Sequence, residues 1–157
     1  MHVHLYERIW MWAATGLIGL FLGAIAVTAL AQAVQPPSHV ETLDPETLAT
    51  HPEFGQPAVT TRPDGSVVVP VVATMYAFGP DPIEVPAHVP VTFRLTSGDV
   101  IHGFSVVGTN TNANAMAIPG YVSQFTVTFA KPGQYTIACN EYCGLMHHAM
   151  VGTVVVK

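Results

Sequence analysis

The segment IACNEYCGLMHHAMVG, residues 137–152, gathers both cysteines of the chain, two adjacent histidines, a glutamate and two methionines. Its order is Cys139-x-Glu141-x-Cys143-x-x-x-His147-x-x-Met150, and Gly144 directly follows the second cysteine. A glycine there lets a backbone double back around an ion. Three chemistries compete for such a set. A disulfide is permitted in an oxidising compartment, but it accounts for neither His147 nor Met150. Zinc accepts two thiolates and two imidazoles, yet the spacing lacks the paired Cys and His pattern of zinc sites, and thioether is a poor zinc ligand. Thiolate, imidazole and a weak thioether together make up the copper electron-transfer set.

A mononuclear copper site of that kind uses a single thiolate, so the second cysteine is the anomaly. Two thiolates can bridge two copper ions, and each ion then wants a terminal imidazole. His147 supplies one. The other has to come from elsewhere, and His102, which starts a strand inside SGDVIHGF, is the candidate. Alone, a histidine in a β-domain is more often a surface or satisfied core residue; the cysteine loop is what lifts His102 above that reading. His148 competes with His147, because neighbouring side chains cannot both point inward from an extended backbone.

The elements that must hold these residues are short β-branched runs cut by Gly and Pro. SVVVPVVATMYAFG at 66–79 is apolar on both faces, with Pro70 marking an edge or bulge. In VTFRLTSG, Val91, Phe93 and Leu95 alternate with Thr92, Arg94 and Thr96. HGFSVVG follows at 102–108. SQFTVTFA and GQYTIAC then flank KPG, where Pro132 and Gly133 suit the centre of a type II turn. Tyr135, Ile137 and Cys139 share one face, so Cys139 leaves a strand end from the core side. The residues through Met150 form a loop before the last strand, GTVVVK. Strands at this spacing, without helical periodicity, predict a mainly β domain, a small sandwich or barrel.

The front of the chain is different. Ile9 to Val34 carries no charge, and roughly 20 apolar residues cross a bilayer core. Trp10 and Trp12 stand at its head, where indoles favour the membrane interface. A buried globular helix of that length would show a polar stripe. A cleaved signal peptide is the stronger rival, since AQA at 31–33 has the small-x-small form, but the apolar run is too long and the preceding residues include one Arg and one Glu. The division expected is therefore a tail at 1–8, a membrane helix at 9–34, a Pro-bearing linker at 35–65 with a short helix near 45–50, and a β domain at 66–157. Gly19 and Gly23 make a GxxxG, a weak packing signal.

Half of the 157 residues are apolar and 10% are charged, against about 25% in ordinary domains. The net charge of −5 lies in the outer part, because Glu7 and Arg8 cancel. Nothing in this charge pattern suits nucleic acid. Arg8 is the one basic residue before Arg62, which puts the N-terminus in the cytoplasm and residues 35–157 outside.

CNEYCGLMHHAM together with DVIHGF closely resembles the CuA motif of cytochrome c oxidase subunit II. FGPDPIEVP, KPGQYTIACNEYCG and GTVVVK also resemble segments of that family, so the likeness extends over most of residues 66–157. A single N-terminal span is similar to the B-type, cytochrome ba-type, branch of the haem–copper oxidases. The resemblance implies a cupredoxin-like Greek-key barrel and a dinuclear copper centre bridged by Cys139 and Cys143. It further implies terminal His102 and His147, axial Met150 and the backbone carbonyl of Glu141; His147 matches the motif and His148 does not. Glu141 stands where the single-span branch often has Gln, and in the two-span branch the Glu carboxylate reaches magnesium at the border with subunit I.

The function implied is electron relay. Electrons would come from cytochrome c and pass to the haem-bearing subunit I, which reduces dioxygen in a prokaryotic plasma membrane. The chain would itself carry no nucleophile–base pair and no open metal position. Tyr76 and Phe78 are expected either as an apolar docking patch for cytochrome c or as a cap on the core. The alternative function is a stand-alone, membrane-tethered copper carrier or copper-delivery protein.

Overall fold

The computed structural model describes residues 4–31, 41–111 and 113–157. They fall into two compact units, one holding residues 4–31 and one holding the described residues from 41 to 157. The first holds helix α1, Leu5–Ala31. It is long and apolar enough to cross a membrane, and Trp10, Trp12, Leu20, Phe21 and Ile25 are all exposed. An all-round apolar surface of this kind needs lipid or protein cover. Residues 32–34 of the expected span and 35–40 of the expected linker lie outside the described residues.

Among the described residues the second unit has eleven strands, in chain order: β1 Glu41–Thr42, β2 Thr60–Thr61, β3 Val67–Thr74, β4 Ala77–Gly79, β5 Ile83–Val85, β6 Pro90–Ser97, β7 His102–Val106, β8 Asn114–Ala117, β9 Tyr121–Thr128, β10 Gly133–Ala138 and β11 Val151–Val156. One sheet runs β1-β9-β6-β3-β2, with β4 also on β3; the other runs β5-β11-β10-β7-β8. Two pairings, β3 with β6 and β5 with β11, are parallel.

The alternation in β6 faces as the sequence says. Val91, Phe93 and Leu95 are fully buried between the sheets. Phe104 of β7 meets Phe78 and Phe93 there, each pair with ring centroids 5.3 Å apart. Along the edge of β3 away from β6, β2 pairs with Val67 and Val68 while β4 pairs with Val72 to Thr74. Pro70 sits in the gap between them, where its missing N–H takes nothing from the ladder.

β9 belongs to one sheet and β10 to the other, so KPG, with Pro132 and Gly133, is the corner where the chain changes sheets. One expectation changes. Residues 41–61, inside the stretch whose composition reads as linker, are folded onto the barrel. Leu43, Leu48 and Phe54 form a second small core with Val72 and Val122, around the 3-10 turn Pro45–Thr50. These three apolar residues, spaced among polar ones, hold the strap down. Arg94 adds a clamp, meeting Glu53 through Nε at 2.6 Å and Glu41 through Nη2 at 2.6 Å. Thr96, on the polar side of the alternation, is consequently buried as well.

Candidate metal centre

β7, β10 and β11 present the chemistry at one end of the barrel. Ile137 pairs with Gly152 and Ala138 with Val151. One step further, the N–H of Cys139 donates to the carbonyl of Met150 at 3.1 Å. The loop 139–150 is thus cinched at its base and opens only outward. Ile137 and Cys139 share the inward face, which delivers the first thiol to the core side. A 3-10 turn, His147–Ala149, brings the chain back.

Both cysteines are free and buried, with sulfurs 3.7 Å apart. The ligand atoms of His102, Cys139 and Cys143 all lie within 4.8 Å of one another. Around this trio, Cys139 Sγ is 3.2 Å from the backbone oxygen of Glu141. Cys143 Sγ is 3.6 Å from both His147 Nδ1 and Met150 Sδ. The structure therefore brings together all six residues singled out from the sequence, with Glu141 contributing its carbonyl while its side chain is exposed. His148 is exposed.

Neighbouring groups shape the electrostatics. Burial, then the hydrogen bond and charge of Cys139, push the Cys143 thiol from 9.0 up to about 11. His102 is completely buried. Its Nε2 lies 2.7 Å from Asp99 Oδ1, while its Nδ1 is buried with no partner among the described residues. An unsatisfied buried nitrogen beside two thiols costs free energy unless something fills the space. An ion does so, and soft sulfur with imidazole suits copper. Burial alone would raise the Asp99 carboxyl, but hydrogen bonds from His102, Met75 and Val100 outweigh it and hold it below its usual value.

Close packing fixes the backbone of the site at two glycines. A Cβ on Gly103 would fall 1.9 Å from Oδ1 of Asn140, and one on Gly144 would fall 2.6 Å from the Tyr76 hydroxyl. Gly144 also has φ +135°, which side chains rarely adopt. Phe78 is 3% exposed and belongs to the core, so of the two aromatics read as patch or cap it is a cap. Asp99 was within reach of sequence reasoning: it stands three residues before His102 in DVIH.

An antiparallel-rich double-sheet barrel with a soft-ligand cluster in a loop at one end defines a cupredoxin-like, copper-fitting domain, here following one apolar helix. Residues 64–157 match the family model for the periplasmic domain of cytochrome c oxidase subunit II. A cytochrome c oxidase subunit 2 of Thermus thermophilus is 40% identical over 156 residues, covering 97% of this chain and 92% of that protein. A second Thermus thermophilus subunit 2 is 44% identical over 126 residues, 79% of this chain and 92% of the relative. Among solved structures, a heme-copper terminal oxidase dimer studied by cryo-electron microscopy matches with TM-score 0.67 at 30% identity, covering 97% of this chain and 99% of that one. The periplasmic domain of subunit II from Bradyrhizobium japonicum, at 20% identity and TM-score 0.52 over 57% of this chain and 83% of that one, supports the fold. The chain belongs to the cytochrome c oxidase subunit II family. It is a membrane-anchored subunit of an oxidoreductase complex.

Proposed function

We propose that this subunit, of the single-span ba-type branch, takes electrons from a cytochrome c at a dinuclear CuA centre and relays them to the haem–copper subunit I. In this reading Cys139, Cys143, His102 and His147 would hold the two ions as the strong thiolate and imidazole donors, and Met150 and the Glu141 carbonyl would be the weak ones. The observation that carries it is the fully buried His102, its Nδ1 without a partner among the described residues, with a ring nitrogen within 4.8 Å of two free buried thiols. When bound, a thiolate-bridged copper pair supplies one-electron transfer with little change in bond length.

The chain's own residues do the rest. Cys143 holds its proton well above neutral pH without metal, so loading the site releases protons. The cinched loop base and the packed glycines keep the donors in place. Burial of His102, Cys139, Cys143 and Met150 excludes water. Tyr142 and Leu145, 73% and 86% exposed, give the loop an apolar outer face for the donor protein. The exposed Glu141 carboxylate is the group through which magnesium would be reached at the border with subunit I. The N-terminus lies in the cytoplasm and the β unit outside.

Metal and haem analysis of the detergent-solubilised full chain, with and without its copurifying partners, tests this. Two coppers per chain sharing one unpaired electron, and a polytopic haem protein in the same particle, are expected. One blue copper, or zinc, overturns the dinuclear reading. Isolation as a stable monomer without haem instead supports the lone carrier.

A further inference from the structure

Asp99 touches three elements at once. Its Oδ1 faces His102 Nε2 at 2.7 Å and accepts from the N–H of Val100. Its Oδ2 accepts from the N–H of Met75 at 2.6 Å, between β3 and β4. Ser97 braces the same turn: its hydroxyl donates to the carbonyl of Val100, accepts from the N–H of Asp99 and lies 3.3 Å from Asp99 Oδ1.

We infer that Asp99 is a positioning residue serving both sides of the cluster: it sets the tautomer of His102, and it anchors the Met75–Tyr76 turn that backs Gly144. The first half follows from proton counting. A neutral imidazole has one N–H, and an ionised carboxylate only accepts. With Asp99 against Nε2 the proton belongs there, which leaves the buried Nδ1 with a free lone pair to offer a ligand. The second half follows from packing. The Tyr76 hydroxyl occupies the space over Gly144 that a Cβ would need, and Gly144 lies between Cys143 and the His147 turn. One carboxylate therefore steadies one histidine by hydrogen bond and the loop of the other through Tyr76. Only the copper part of this inference rests on the function proposed above.

The full chain in detergent provides the test. In the metal-free, unaltered protein, nitrogen-15 NMR of His102 should show Nε2 protonated and Nδ1 bare; the opposite tautomer overturns the inference without any substitution. Asparagine offers a single acceptor oxygen, so Asp99→Asn cannot serve both His102 and Met75. One of two losses is expected: the His102 proton moves to Nδ1, or the Met75 amide exchanges with solvent about tenfold faster. Copper affinity should fall about tenfold or more, the usual effect of removing a residue that orients a metal-binding histidine. Val100→Ala, which alters the exposed side chain of the same turn but keeps the backbone N–H that Asp99 accepts, should leave the tautomer, the exchange rate and the affinity unchanged. The inference is overturned if Asp99→Asn keeps both metal-free signatures or native copper affinity, or if Val100→Ala reproduces its effects. Should the unaltered chain refuse two coppers, the proposed function fails while the tautomer and exchange results still judge Asp99.

Discussion

Two polar clusters of the β unit make an instructive pair. Around Arg94, the guanidinium meets Glu41, Glu53 and Gln124. Hydrogen bonds donated to Glu53 and Glu41 raise its already high pKa further. At the other cluster, Asp99 answers one nitrogen of His102, but Nδ1 has no partner among the described residues, and the thiols meet only weak partners: each other, the Glu141 carbonyl, His147 Nδ1 and Met150 Sδ. A polar cluster satisfied by its own members rigidifies a fold, whereas a partly satisfied one destabilises it unless a ligand completes it. The first cluster is complete as folded, and the second has the form of a receptacle.

The contrast is broken most sharply at the histidine pair. His147→Ala should remove or convert the dinuclear copper signal of the full chain, while His148→Ala leaves the spectrum nearly intact. Electron paramagnetic resonance reads both, and the reverse result would shift the loop register by one residue. A smaller effect is expected at the complete cluster. Arg94→Met leaves two carboxylates without their cation and should lower unfolding free energy by about 2 kcal/mol, read from denaturant midpoints. Copper content should not change; a parallel loss of copper would mean that the strap and the metal end act as one unit.

Alkaline pH gives a still smaller, graded distinction. The Cys143 thiol is raised from 9.0 to about 11 in the folded state, so the folded chain keeps its proton where the unfolded chain has lost it. That contribution is fully present below pH about 9 and fades as pH rises toward about 11. Metal-free, reduced protein should lose stability across this window, measured by denaturant unfolding. The copper-loaded chain, its thiols already deprotonated, should not share the dependence. The smallest effect belongs to Glu141→Gln: with the carbonyl as the donor, copper content and visible absorption of the full chain should be unchanged. Loss of a copper would make the carboxylate itself a ligand.

Much of this molecule is written locally. The alternation of Val91, Phe93 and Leu95 with Thr92 and Arg94 gives the two faces of β6, and the loop spacing collects Cys139, Cys143, His147 and Met150. What the sequence conceals are non-local choices. The parallel partnership of β3 and β6 leaves no mark in either strand. The short strand β8, Asn114–Ala117, has too little β-branched character to announce itself. Thr96 reads as an outward residue because its ladder neighbour Val72 packs against Leu43, Leu48 and Phe54, which come from a distant, polar stretch. Asp99 is the local exception, three residues before His102 and legible there, although an aspartate before a histidine is ordinary until the turn sets them side by side.

The closed base of the metal loop has an engineering consequence. β10 and β11 pair in unbroken register up to Ala138 and Val151, and the Cys139 to Met150 hydrogen bond adds a final rung. Strand register is thus set below the loop by the barrel, and nothing within residues 140–149 is needed to define it. The segment behaves as a cassette. A foreign loop of different length, spliced between Cys139 and Met150, would inherit the same rung, the same His102 and the same buried floor. Exchange of chemistry without exchange of scaffold is what this geometry permits.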